Sequence, residues 1–219
     1  MNELLPGKES DPRFQRSRAS IIGAVTNLVG ELPIEQLSIT RVVEAAGVTR
    51  PTFYQHFPDV LSAAQEAAFV RLAEAFPGPL ERRAAATVPD AELHRRIVAQ
   101  ASPVFVHLAE HRPFYQRVLA AAAGVTFFDK LIAFVASRML PESLDAGERA
   151  RGFQEDLTTV MASGMTWLVV RWVSNGALQP SSPAQMATQV ADIAMALRPE
   201  PDLDSRNADQ CPTALDLQT

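Results

Sequence analysis

The stretch Ser38-Ile-Thr-Arg-Val-Val-Glu-Ala-Ala-Gly-Val-Thr-Arg-Pro-Thr-Phe-Tyr-Gln-His-Phe57 decides how this chain is read. Leu37, Ile39, Val42, Val43 and Ala46 fall at helical spacing over a short helix opened by Ser38 or Thr40 and stopped at Gly47. A second short segment runs from Thr49 to His56. Two short helices joined at one glycine give a helix-turn-helix, because Gly47 tolerates a left-handed backbone and the small Ala46 lets the helices approach. Val42, Val43, Val48, Phe53 and Phe57 are expected to point inward. That leaves Thr49, Arg50, Pro51, Thr52, Tyr54, Gln55 and His56 on the exposed side, where donors, a cation and a flat ring suit phosphates and base edges.

Working outward, proline marks where long helices are possible, since an interior proline removes a backbone bond and clashes with the preceding turn. Upstream, Ile21, Ile22, Val25, Leu28 and Val29 form the stripe of an amphipathic helix from about Arg13 to Glu31. Downstream, Pro58-Asp59 caps a helix to about Phe76, closed by Pro77-Gly78-Pro79. Asp90 is expected to cap a helix reaching His111, kinked or broken at Pro103 with Ser102 as a second cap. Pro113 starts a short helix to about Ala122, and Gly124 separates it from one ending near Leu140. Asp145-x-x-Glu148 reads as a capping box for the longest helix, which stops at Asn175-Gly176. Ser182-Pro183-Ala184-Gln185 opens a last helix ending at Arg198-Pro199. No window alternates like a strand, so the fold class is all-α, with about nine helices. The expected organisation is a DNA-binding unit over 12–58, a larger helical unit over 59–198 and a disordered acidic tail over 199–219.

Charge supports that division. The tail holds five acids against Arg206, whereas Pro12 to Pro58 holds five arginines against three glutamates, so the net −5 hides a mildly basic N-terminal unit. The lone Cys211 excludes a disulfide scaffold and a cysteine-based zinc site. The longest apolar runs, such as Val118 to Phe128, fall well short of the roughly 20 residues a membrane span needs. Met1-Asn2-Glu3-Leu4-Leu5-Pro6 has no basic segment followed by an apolar one, so a cytoplasmic protein without a membrane partner is expected.

The run from Arg18 to about Phe69 resembles the tetracycline-repressor (TetR) family of bacterial transcriptional regulators. The resemblance rests on Arg18-x-x-Ile21-Ile22-x-Ala24, Ser38-Ile39-Thr40, Ala45-Ala46-Gly47-Val48-Thr49-Arg50 and Thr52-Phe53-Tyr54-x-His56-Phe57-Pro58. It implies an all-helical homodimer: a three-helix unit that binds double-stranded operator DNA, then a divergent domain that dimerises and holds a small-molecule effector. By the same resemblance Arg50, Thr52, Tyr54 and His56 contact DNA from the recognition helix, with Thr40 on phosphate. Arg18, in the cluster Arg13-x-x-Arg16-x-Arg18, joins the DNA-contacting set as part of a possible phosphate-contacting arm, the plainer alternative being a solvated helix start. One departure is Asp59-Val60-Leu61, where relatives often carry a lysine; an aspartate caps the helix but repels phosphate, so fewer salt-sensitive contacts are expected.

A rival reading comes from His107-Leu-Ala-Glu110-His111. Its H-x-x-E-H pattern puts two histidines one helical turn apart, as in inverted zinc proteases, and would make a small metal-dependent hydrolase. The helix ends at once in Arg112-Pro113, and a histidine in a last turn also suits the helix dipole. The expectation is therefore a structural pair, no enzyme, no metal and no cofactor. Glycine-rich phosphate loops, G-x-S-x-G elbows and Cys-His pairs are absent from the sequence. A third reading is a helical interaction module with no DNA or ligand role.

For the effector, Phe105, Phe114, Phe127, Phe128, Met161, Met165 and Trp167 offer an apolar lining, against the plainer alternative of ordinary core packing. With Arg117, Lys130 and Arg138 the nearest cations in sequence, a lipophilic ligand is expected. For dimerisation, the longest helix carries one row of Phe153, Leu157, Val160, Gly164 and Leu168, and another of Met161, Met165, Val169 and Trp172. The last helix has Met186, Val190, Ile193 and Leu197 on one side and Ala184, Ala187, Ala191 and Ala194 on the other. Leu168, Trp172, Met186, Val190, Ile193 and Leu197 are the expected dimer contacts, in a four-helix bundle. The whole reads as a dimeric repressor released from its operator by a hydrophobic effector.

Overall fold

A side chain caps each of the first four helices. The structure, a computed structural model, describes residues 11–76, 89–122, 125–139, 148–174 and 182–196. Asp11 accepts the Arg13 backbone N–H at 2.8 Å and starts α1 (Pro12–Glu31), whose Ile21, Ile22, Val25 and Val29 are buried. Proline at position 33 stops it, and one 3-10 turn (Ile34–Gln36) leads to α2 (Ile39–Ala46). Ser38 caps α2, its hydroxyl 3.3 Å from the Arg41 N–H. Gly47, at φ 65°, ends it in the left-handed region, and the Val48 N–H closes back on the Val43 carbonyl at 3.0 Å. Thr49 caps α3 (Arg50–His56) by accepting the Thr52 N–H, and Asp59 caps α4 (Val60–Ala75) through the Ser62 N–H at 2.7 Å.

The remaining helices are α5 (Asp90–Glu110), α6 (Arg112–Ala121), α7 (Val125–Met139), α8 (Glu148–Ser174) and α9 (Pro183–Ala196). Among the described residues there are thus nine α-helices and no strand. Ala63, Ala64, Ala67 and Ala68 are buried on α4, and these short side chains let α1 lie close against it. α6 packs on α1, α4 and α8, while α9 lies along α5. The buried apolar residues form one cluster from Ile21 to Val190, so the core runs through α4 without a break between the N-terminal unit and the rest.

Several details differ from the sequence expectations. Asp90 is the first residue of α5, and the cap position is Pro89, which has no side chain to offer. α5 runs unbroken through Pro103: that residue is exposed, so the Ala99 carbonyl it leaves without a donor can meet water, and Ser102 gives its hydroxyl to the Val98 carbonyl at 2.7 Å instead of capping a new helix. Val48 is only half-buried. The capping box opening α9 is present in both directions, with Ser182 N–H to Gln185 Oε1 at 2.7 Å and Gln185 N–H to Ser182 Oγ at 3.2 Å. Asp145, the Asn175-Gly176 stop, Leu197 and the tail after Pro199 lie outside the described residues.

Within one protomer the expected dimer contacts divide between inward and outward positions. Trp172 is 3% exposed, edge-on to Phe105 at 5.5 Å with the Arg112 guanidinium over its ring, and Met186 and Val190 are buried in the same protomer. Ala187 and Ala191 are buried too where α9 lies along α5, while Ala184 is exposed and Ala194 half-buried. The outward face belongs to α8, where Val160 is 68% and Trp167 59% exposed and Gly164 is exposed between them. Leu168 and Ile193 are half-buried.

Candidate DNA-contacting face and interior cavity

Phe53 is wholly buried, and that orients α3: its ring goes into the core between α1 and α2, so the residues on the other side face outward. Tyr54 is 58% exposed, and Thr49, Arg50, Pro51 and Gln55 are exposed, with Thr52 half-buried. The starts of α2 and α3 meet here. The Arg50 guanidinium donates to the Thr40 hydroxyl, and the hydroxyls of Thr49 and Thr52 lie 2.9 Å apart. One surface therefore gathers Thr40, Thr49, Arg50 and Thr52 at the two helix N-termini, with Tyr54 and Gln55 along α3. Helix N-termini carry partial positive charge, which suits phosphate oxygens.

Two residues expected on this face are engaged elsewhere. His56 follows Phe53 by three residues, about 60° from the buried side of the helix, so it turns toward α1. Its Nε2 is 2.8 Å from Ser17 Oγ and its ring centroid 4.0 Å from that of Phe14. Arg18 points the other way, with its guanidinium donating to the Glu66 carboxylate of α4. Both contacts fasten the three-helix unit to itself and to α4.

The His107–His111 pair is stacked edge to face at 4.6 Å, and His107 Nε2 is 2.8 Å from the Tyr115 hydroxyl. Burial, and then neighbouring positive charge, hold both imidazoles below their ordinary range, and burial pushes the Tyr115 hydroxyl far above its own. A zinc-ligating nitrogen needs a free lone pair, whereas this one is committed to a tyrosine. Among the described residues no group of three or more His, Cys, Asp or Glu side chains could hold a metal ion, and no helix is long and apolar enough to cross a membrane.

A cavity opens between α4, α5, α6, α7 and α8, with Val190 of α9 at its wall. The empty space among its residues is about 850 Å³, counting the part that opens to solvent. Phe105, Phe127 and Met165 line it, with Phe69, Leu72 and Phe76 contributed from α4 and its C-terminal cap. Phe114, Phe128, Met161 and Trp167 are not in the wall: Phe114 is buried under the Arg71 guanidinium, Phe128 and Met161 are half-buried, and Trp167 stands on the surface. Sequence reasoning missed Thr166, which lines the cavity, because a threonine inside an apolar helix carries no periodic signal of its own.

The family model described as "Bacterial regulatory proteins, tetR family" matches residues 21–59, which takes in the buried side of α1, all of α2 and α3 and the cap of α4. No curated protein matches the chain. Among solved structures, the chain is similar to the dihydroxyacetone kinase operon activator DhaS, at 14% identity and TM-score 0.53, covering 82% of this chain and 94% of that one. It is also similar to tylp, a TetR regulator from Streptomyces fradiae, at 15% identity and TM-score 0.50, covering 85% and 87%. At such identities these two likenesses speak to the fold alone.

Proposed function

We propose that the chain is a DNA-binding transcriptional regulator of TetR type, a reading supported by the family model matched over residues 21–59, and that it is a dimeric repressor whose grip on its operator is released by a small apolar molecule bound in the interior cavity. The observation that carries this reading is the α3 surface: Arg50, Tyr54 and Gln55 stand exposed on a helix whose opposite side is anchored by the fully buried Phe53. A helix so held can enter the major groove without deforming the unit behind it.

The cavity supports the second half of the reading. α4 supplies Phe69 and Leu72 to the cavity wall near its C-terminal end, while Val60, Ala63 and Ala64 near its start belong to the core on the side of the molecule where α4 packs against α1. A ligand that moves the far end of α4 would therefore shift α1, which packs against both α4 and the recognition helix α3, and this is a coupling free energy between two sites. The exposed Val160, Gly164 and Trp167 on α8 provide an apolar face for a two-fold mate. Such a mate would set two recognition helices about one DNA turn, roughly 34–36 Å, apart.

The test begins with an operator selected from random duplexes. Arg50→Ala and Tyr54→Ala should each weaken binding to it by about 1–3 kcal/mol with helicity unchanged. His56→Ala should lower thermal stability, since it removes the Ser17 and Phe14 contacts. Unchanged affinity in both Arg50→Ala and Tyr54→Ala, with the fold intact, refutes the α3 assignment.

A further inference from the structure

The cavity wall contains one polar side chain that has no partner. Thr166 on α8 is 4% exposed, and its hydroxyl is shielded from solvent and makes no hydrogen bond. Buried hydroxyls normally bond, and a helical threonine has the carbonyl four residues back available for it. Apart from Tyr115, the rest of the wall is apolar. The other hydroxyl there, that of Tyr115, is taken by His107. No charged side chain lines the space.

We propose that the effector is a neutral lipophilic molecule carrying a single hydrogen-bonding oxygen, as a ketone, ester or alcohol does, and that Thr166 is the residue that reads this oxygen. The inference rests on the effector-release reading above and names the ligand class of that same cavity. Charge is excluded because an ionised group moved into this wall would lose its hydration and find no counter-ion. Size is bounded too: the empty space among the lining residues, about 850 Å³ with the part that opens to solvent, lies within the ~300–1,000 Å³ of small-molecule sites. Rotation about the Thr166 Cα–Cβ bond exchanges methyl and hydroxyl, and threonine in a helix populates two such rotamers. No polar atom of the wall faces the space as it stands, so this change of rotamer is the step that presents the hydroxyl to a bound oxygen as donor or acceptor. A site that satisfies a buried hydroxyl discriminates strongly against a ligand lacking the matching atom.

Calorimetric titration of the full chain with 2-octanone, 1-octanol, butylbenzene and octanoate tests this, alongside release of the selected operator by the same four compounds. The ketone and the alcohol should bind about tenfold more tightly than butylbenzene, and octanoate should not bind. Thr166→Val, which replaces the hydroxyl by a methyl of the same shape, should erase the tenfold gap and leave butylbenzene unchanged. Thr166→Ser should keep the gap, which separates the hydroxyl's role from any effect on folding. Leu131→Trp, filling the cavity, should abolish all binding. Equal binding of ketone and hydrocarbon by the unmodified protein, a gap that survives in Thr166→Val, or preferred binding of octanoate would overturn the role of Thr166 while the cavity remains an effector site. Binding of none of the four, with operator affinity unmoved, removes the effector-release reading itself and this proposal with it.

Discussion

Arg117, on α6, donates through its guanidinium to the carbonyl of Val29 at 2.7 Å and to that of Gly30, in the last turn of α1. Those carbonyls have no partner within α1, and the cation completes them while complementing the negative end of the helix dipole. The next residues of α6, Val118 and Leu119, line the cavity. A single turn of α6 therefore touches both the effector space and the first helix of the DNA-binding unit. Arg117→Ala should cost about 1–3 kcal/mol in urea denaturation, the usual worth of hydrogen bonds from a charged donor. Arg117→Lys should recover part of it, since an ammonium donates without the planar fork. Unchanged stability in Arg117→Ala would mean that the contact adds nothing.

Gly47 is the one described glycine with positive φ, at 65°, and a Cβ built there meets nothing within 4 Å. The cost of Gly47→Ala is then backbone conformation alone, about 1–2 kcal/mol. Gly47→Asn should lose less, because asparagine tolerates the left-handed region. Equal stabilities of all three proteins in denaturant would show that the turn relaxes to accommodate the change.

Acid should weaken the fold through His107 and His111. Burial lowers both below the ordinary 6.5, so in the folded chain they stay neutral where the unfolded chain already takes up protons. Their contribution is complete above about pH 6.5 and is lost as pH falls below it. The lowered Glu92 carboxylate, held by Arg95 and Arg96, acts only below 4.5, outside this window. Thermal melts between pH 7.5 and 5.5 should show a falling midpoint, flatter in His107→Gln. The same slope in both proteins would assign the acid sensitivity to other groups.

The outward and inward apolar faces should respond differently to charge. Trp167→Glu, on the exposed side of α8, should give a folded monomer by sedimentation that has lost tight operator binding. Val190→Asp, at 1% exposure against α5, should not fold at all, since it buries an unpaired charge. A dimer that survives in Trp167→Glu would move the interface off this face.

Some of this protein was decided within short stretches of chain. Ser38, Gly47, Thr49 and Asp59 cap or stop helices by contacts spanning a few residues, so their type and spacing alone placed α2, α3 and the start of α4. The stripe Ile21, Ile22, Val25 and Val29 likewise named its own buried side, because helical period and burial coincide when one face meets a core. What tertiary structure decided is which of two apolar faces meets that core. α8 and α9 each offered two rows, and periodicity cannot rank them; α9, lying along α5, has Met186, Val190, Ala187 and Ala191 buried together, while α8 turns Trp172 in against Phe105 and leaves Trp167 out. The same holds for His56 and Arg18, drawn to Ser17 and Glu66, and for Arg117, whose partners lie 87 and 88 residues away. Such contacts join distant residues, and a local pattern carries no information about a partner that only folding brings within reach.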